Sequence, residues 1–340
     1  MAVEHIANRA AATAGAGPTS AEPARATAGV PRAGGNRIGL WGSPSSGKTT
    51  FLAALRLAAY DADDRHGRWQ VIASDDRSER FLVESSRTLA VDRTFPEATQ
   101  RSVQLGWRFR GDLTGTPYAP RRRWRGGTRG DAAVDFELSL LDVPGMVYRD
   151  LSQDAGAEES IEHLATSSGL LYLFDPTTEA EKNESFAYLN GTLTRLARRC
   201  ADRLEGPYLP HHISVCMTKF DDPEVFERAR RGGWAHAGPE GTPVVTDASG
   251  FFDWLARDLH GSTMDLIGRA LRNSFHPARI RFFATSAIGF GTTAGGEVDL
   301  RRFGNVDDED GARRIIGPVR PYNVMEPVIA LMNGLREGRR

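Results

Sequence analysis

Residues 42–49 read Gly-Ser-Pro-Ser-Ser-Gly-Lys-Thr and fit the spacing GxxxxGK[ST]. The chemistry this spacing can do is the binding of phosphate. Glycines let a backbone wrap tightly enough for successive N–H groups to converge on phosphate oxygens. A helix that begins at the lysine adds unpaired N–H groups and the positive end of its dipole. In such a loop Lys48 carries a compact charge to the β- and γ-phosphates, and the Thr49 hydroxyl can ligate Mg²⁺. The candidate phosphate contacts are Gly42, Ser43, Pro44, Ser45, Ser46, Gly47, Lys48, Thr49 and Thr50. Lysine is itself informative here. The chain has three lysines, Lys48, Lys182 and Lys219, against forty arginines. With Ala and Gly equally abundant, the arginine surplus reads as coding-sequence composition. A planar guanidinium does not replace the ammonium of this loop.

Further along, Asp142-Val-Pro-Gly145 follows the apolar run 138–141. An aspartate at the carboxyl end of a buried strand can hold Mg²⁺, and Gly145 can bring a backbone N–H to a γ-phosphate. Thr218-Lys219-Phe220-Asp221 follows the apolar run 213–217 and contains the second motif-borne lysine. A carboxylate at Asp221 can accept two parallel hydrogen bonds from the amide and amino N–H groups of guanine, a donor pair that adenine lacks. The Lys219 stem can cover the base, and at Thr285-Ser286-Ala287 small side chains let a backbone N–H reach the guanine carbonyl.

These four elements, in this order, resemble the P-loop GTPases of the TRAFAC class, the translation-factor and Ras-like proteins, over roughly residues 37–340. The resemblance implies GTP and GDP as ligands, Mg²⁺ as cofactor, hydrolysis to GDP and phosphate, and a switch threonine before the second strand. Thr99 is the best match for that threonine, with Thr94 and Thr88 behind it. It would share Mg²⁺ with Thr49 and Asp142, while Lys48, Thr99 and Gly145 would act on the γ-phosphate. Residues 40–50, 95–99 and 320–327 further resemble the bacterial double-GTPase type associated with biological-conflict (defence) gene clusters. The partner implied is a protein effector or a second GTPase subunit.

Three positions depart from the pattern. Thr218 stands where the base motif has asparagine. Met146 stands where many Ras-like enzymes place a glutamine that orients the attacking water, which methionine cannot do. Pro44 removes one N–H from the phosphate loop. These departures keep a second function open, a nucleotide-binding adaptor that hardly hydrolyses. A third, an RNA- or ribosome-associated GTPase, rests on the basic stretch 121–125 with Arg129, which reads first as a solvated loop.

The elements that must position these residues are legible from periodicity. Strands are expected at 37–41, 103–109, 136–141, 169–174, 212–217 and 280–284, with the second and third forming an antiparallel pair. Helices are expected at 49–59, 186–204 and 324–336, the last opened by a capping box from Asn323 to Glu326. Apolar residues at Phe252, Leu255, Leu259, Leu266, Ile267 and Leu271 suggest an added helix pair. The alternation predicts a three-layer α/β P-loop NTPase fold, its sheet mostly parallel with one antiparallel edge strand and helices on both faces. Residues 1–35, rich in Ala, Gly, Thr and Pro, read as a disordered tail ahead of a GTPase domain at 36–340, which carries a basic loop at 110–132 and a helical insertion at about 222–279.

Composition bounds the rest. The chain has 340 residues, a net charge of −1 and 40% hydrophobic residues, enough for a sizeable core. Balanced charge argues against a wholly basic nucleic-acid binder. Cys200 and Cys216 are too few for a disulfide framework or a four-cysteine zinc site, and read as buried thiols. No run reaches the ~18 apolar residues of a membrane span, and no signal-peptide block is evident, so a cytoplasmic protein is expected. His211 and His212 lack ligand-spaced partners, and Trp41 and Trp254 read as packing residues.

Overall fold

The computed structural model describes residues 36–61, 65–97, 103–119, 132–142, 155–182, 184–238, 241–259, 263–308 and 313–337. In chain order these form β1 (Asn36–Gly42), α1 (Lys48–Tyr60), β2 (Arg68–Ala73), α2 (Asp76–Ala90), β3 (Val103–Asp112) and β4 (Ala133–Asp142). Next come α3 (Ala155–Ala165), β5 (Gly169–Phe174), α4 (Pro176–Lys182), α5 (Ser185–Arg199), β6 (His212–Met217) and α6 (Pro223–Arg231). The short β7 (Ala235–Ala237) and β8 (Pro243–Val245) precede α7 (Ala248–Asp258) and α8 (Met264–Ser274). Then follow β9 (Ile280–Ala284), β10 (Val306–Asp307), β11 (Arg314–Ile315) and α9 (Glu326–Glu337).

Seven strands make one sheet in the order β2-β3-β4-β1-β5-β6-β9. β4, β1, β5, β6 and β9 are mutually parallel, so their carboxyl ends share one edge. β3 runs against β4 with Val103 opposite Asp142, and β2 runs against β3. The sheet thus extends one strand beyond the predicted antiparallel pair.

Burial of both faces explains the continuous apolar runs of the central strands β1, β5 and β6. Ile38, Leu40, Leu171 and Leu173 pack with α1 and with Val328, Ile329 and Met332 of α9. Trp41, Leu170, Tyr172 and Phe174 face the other way, toward Leu189 and Leu193 of α5, Phe252 of α7 and Leu271 of α8. Trp41 packs on Tyr172 at 4.5 Å between ring centroids, as the packing reading of that tryptophan requires. Both cysteines are buried and free. Among the described residues no helix is long and apolar enough to cross a membrane.

Local chemistry sets several helix starts. The Asp75 carboxylate accepts from Ser78 N–H at 2.7 Å and opens α2. Asp222 accepts from the N–H groups of Glu224 and Val225, with Pro223 at the first position of α6, and Asp247 does the same for α7.

Three expectations are corrected. The helix expected over 186–204 stops at Arg199, and a single 3-10 turn at 201–203 follows. Leu266 lies on the outer side of α8 at 43% exposure, because Met264, Ile267 and Leu271 supply the inward stripe. The capping box ahead of α9 does not form. Asn323 adopts a left-handed conformation, φ 55°, and its Nδ2 donates to Ala284 O at 2.8 Å. Glu326 turns instead to His66, Arg65 and Tyr118, where its charge finds partners.

Between β9 and α9 the chain makes a long excursion pinched at its base. Ser286 and Tyr322 exchange backbone hydrogen bonds at 3.0 and 2.8 Å, and Arg320 N–H reaches Ile288 O at 3.2 Å. The β10–β11 hairpin lies on this excursion and reaches the segment after α2, where Ile315 N–H donates to Arg93 O at 2.8 Å and the Arg93 guanidinium donates to Ile316 O at 3.0 Å.

Candidate functional site

The loop between β1 and α1 sits at the carboxyl edge of the sheet. Gly42 is required by proximity: a Cβ there would lie 2.6 Å from Leu173 O and from the Ser46 hydroxyl. Gly47 is required by conformation, with φ 87° in the left-handed region, and Ser45 shares that region at φ 64°. Phe51 N–H closes the first helical turn onto Gly47 O at 2.7 Å. The Lys48 ammonium lies over the loop, donating to Gly42 O at 3.1 Å and Ser43 O at 3.2 Å. The hydroxyl oxygens of Ser43 and Ser46 are buried and have no hydrogen-bond partner among the described residues. A buried hydroxyl without a partner is costly, so these two are what an incoming oxygen ligand would satisfy.

The turn after β6 faces this loop. Thr218 donates to Phe174 O through its N–H at 2.8 Å and its hydroxyl at 3.1 Å, which ties the turn to β5. Lys219 is left-handed, φ 56°, and its ammonium meets the Asp175 carboxylate at 2.5 Å. Asp175 is fully buried and also accepts from the hydroxyls of Thr177 at 2.8 Å and Thr178 at 2.6 Å. Burial pushes the Asp175 carboxyl up, but the Lys219 charge and these hydroxyls outweigh it and hold the group below its ordinary value. Asp221 accepts from the Ser286 hydroxyl at 2.5 Å, and Ser286 in turn accepts from Gly289 N–H at 2.8 Å. Burial pushes the Asp221 carboxyl up to about 6, against the opposing pull of Ser286. Phe220 anchors the turn among Phe226, Phe251, Phe290 and Tyr322.

One cavity of about 1080 Å³ joins these parts. Residues 43–50 line it, together with Thr218, Lys219, Asp221 and Ala287. Gly42 and Ser286 stand directly behind it through the contacts above. Asp142 ends β4 on the same sheet edge. Thr99, Gly145, Met146 and the basic stretch 121–129 lie outside the described residues.

Other lining residues lie outside the four motifs. Thr94, a weaker switch candidate, forms one wall with Phe95, Pro96 and Glu97 from the 95–99 segment that carries the narrower resemblance, and Val306, Asp308 and Arg313 of the hairpin region form another. Lys182 also lines the cavity, so all three lysines of the chain border one space. Rarity of lysine was the signal that could have found it. Asp175 had no such signal.

The strand order, the phosphate-loop turn at the end of β1 and the helix behind it define a three-layer α/β fold of the P-loop NTPase kind. No protein-family model matches the chain, and no curated protein matches it. Among solved structures it is similar to the signal recognition particle receptor SRb-GTP/SRX complex from Chaetomium thermophilum, at 13% identity and a TM-score of 0.37, covering 77% of this chain and 94% of that one. It is also similar to sup35 complexed with GDP, at 12% identity and a TM-score of 0.30, covering 79% of this chain and 41% of that one.

Proposed function

We propose that this chain is a cytoplasmic GTP-binding switch that hydrolyses GTP to GDP and phosphate with Mg²⁺. The observation that carries the reading is the single cavity bordered at one end by the 43–50 loop and at the other by the Thr218–Asp221 turn and Ala287. In this reading the loop N–H groups, the Ser43 and Ser46 hydroxyls and Lys48 hold the phosphates. Asp221 accepts from the guanine edge, and Lys219, steadied by Asp175, covers the base. Thr49, which lines the cavity at the first turn of α1, and Asp142, where β4 ends on the same edge, would hold the cation together with Thr99. Mg²⁺ bound there supplies positive charge beside the β- and γ-phosphates. Thr99 and Gly145 are the proposed sensors of the γ-phosphate, ordered by GTP and released on hydrolysis. A protein effector or a second GTPase subunit would read that difference. The resemblance of residues 40–50, 95–99 and 320–327 to double-GTPase proteins supports a role in a bacterial regulatory or defence system.

A second reading, an adaptor with little hydrolysis, is favoured by Pro44, which borders the cavity and offers no N–H. Competitive equilibrium binding of GTP, GDP and ATP with Mg²⁺ tests the common part. Guanine nucleotides are expected to win by about a hundredfold, and Asp221→Asn is expected to erase that margin. Lys48→Ala is expected to weaken all nucleotides. Equal ATP binding would overturn the guanine assignment, and normal binding and turnover by Lys48→Ala would overturn the whole reading. Single-turnover hydrolysis, with the protein dilute and concentrated, separates switch from adaptor.

A further inference from the structure

A second cleft, of about 1130 Å³, opens between α6 and residues 300–306. Its charge is one-sided. Arg228, Arg230 and Arg231 line it from α6, and Arg301 and Arg302 line it from the opposite bank. Only Glu224 and Glu227 oppose them within the cleft, in a chain whose overall net charge is −1. Arg228 is matched by Asp258, while Arg230 and Arg231 share the single carboxylate of Glu227. Arg301 and Arg302 are exposed and their guanidinium groups form no ion pair among the described residues, although the Asp299 carboxylate beside them accepts from the Arg301 backbone N–H at 2.9 Å. Beside them Leu300 is 53% exposed. The floor is firm, since Phe226 and Phe303 stack across it at 3.9 Å between centroids.

We propose that this cleft binds an acidic peptide segment of a partner protein, with its carboxylates on Arg301, Arg302 and the α6 arginines and an apolar side chain on Leu300. Guanidinium forks match carboxylates bidentately. Arginines whose guanidinium groups lack an ion-pair partner supply both orientation and electrostatic steering. A nucleic acid fits less well. Its evenly charged backbone would meet Glu224 and Glu227 among the arginines, and its sugar edge offers nothing to Leu300. A peptide can space its carboxylates around those glutamates. The proposal stands apart from the nucleotide reading, although Pro223, Gly304 and Val306 border both cavities and set the partner against the wall of the first one.

The test is fluorescence anisotropy of the full chain with a short fluorescein-labelled peptide of Asp, Glu and Leu. A matching peptide of Asn, Gln and Leu, and a single-stranded RNA oligonucleotide, serve as the other arms. The acidic peptide is expected to bind at low salt and to weaken as salt rises. The double variant Arg301→Glu/Arg302→Glu is expected to lose about tenfold or more in affinity, while Arg77→Glu/Arg80→Glu on exposed α2 loses none. Circular dichroism and thermal melting check that both variants are folded. Binding of the neutral peptide as tightly as the acidic one overturns the proposal, as does equal loss in both variants or tighter binding of RNA. So does a change in sedimentation of the protein alone on reversing Arg301 and Arg302, because the occupant is then a second copy of the chain.

Discussion

At the scale of single residues, Asp221 carries its charge in a place that resists charge. Burial raises its carboxyl from the usual 3.8 to about 6. The sign of the consequence follows from linkage. Below about pH 4 the group is protonated in folded and unfolded chains alike and contributes nothing. Between about pH 4 and 6 the unfolded chain ionises first, so the fold loses stability as pH rises, and the full penalty stands above 6. Asp221→Asn is therefore expected to raise the thermal midpoint of the nucleotide-free protein at pH 8 and to leave it unchanged near pH 4. A midpoint unmoved at pH 8 would show that the carboxylate is not held against its preference. In the proposed reading guanine binds the ionised form, so GDP affinity is expected to fall about tenfold per pH unit below 6 in the parent protein, and isothermal titration across that range checks it. Asp221 and Lys219 were legible in the sequence because a strand end, a lysine and an aspartate stand at fixed spacing. Asp175 was not, because an aspartate before a proline at a strand end marks nothing in one dimension. Its contact with Lys219 spans 44 residues of sequence and exists only when β5 and β6 lie side by side.

At the scale of elements, α9 shows how a buried charge can determine where a helix begins. The Glu326 carboxylate lies 2.9 Å from His66 Nε2, 3.2 Å from the Arg65 guanidinium and 3.3 Å from the Tyr118 hydroxyl. Burial alone would raise this carboxyl, but His66 and Arg65 reverse that and hold it below its ordinary value. Its contribution is then present above the carboxylate range and lost as pH falls through it. Glu326→Gln is expected to cost about 1–3 kcal/mol in urea unfolding at neutral pH, with the difference shrinking toward acid. Equal stability of the two proteins at neutral pH would mean the ion cluster contributes nothing net. The local pattern from Asn323 to Glu326 fits a cap, and only the tertiary neighbours show why it is not one. β2 and α2 escaped the sequence reading for a related reason. α2 turns Ser78, Ser85 and Ser86 inward beside Leu82 and Leu89, which dilutes the apolar stripe. Ser78 is satisfied by β3: its hydroxyl accepts from Gly106 N–H at 3.1 Å, and its carbonyl accepts from Trp107 Nε1 at 3.0 Å.

At the scale of the folded unit, β5 and β6 were legible because burial on both faces leaves nearly unbroken apolar runs, and both end where the sequence placed them, at 169–174 and 212–217, as does β9 at 280–284 although its Arg281 is exposed. The excursion between β9 and α9 was not. Its packing depends on Phe290, Phe303 and Tyr322, scattered residues that meet only around Phe220 and Phe226. Its pinched base has a consequence for how this protein can change. With Ser286 and Tyr322 clasped, the length of chain between them hardly registers in the sheet. Lengthening a flexible loop is thermodynamically mild, about 0.6 kcal/mol for each doubling. The tip offers a ready opening at Ala294 and Gly295, both exposed, just inside the turn where Thr293 and Glu297 pair. An epitope tag spliced between Ala294 and Gly295 is expected to leave the thermal midpoint and nucleotide affinity unaltered, and a substantial drop in either would show that the tip is tied to the rest. The clasp thus makes this stretch a splice point, where descendants of the same chain can gain or lose sequence without renegotiating the fold.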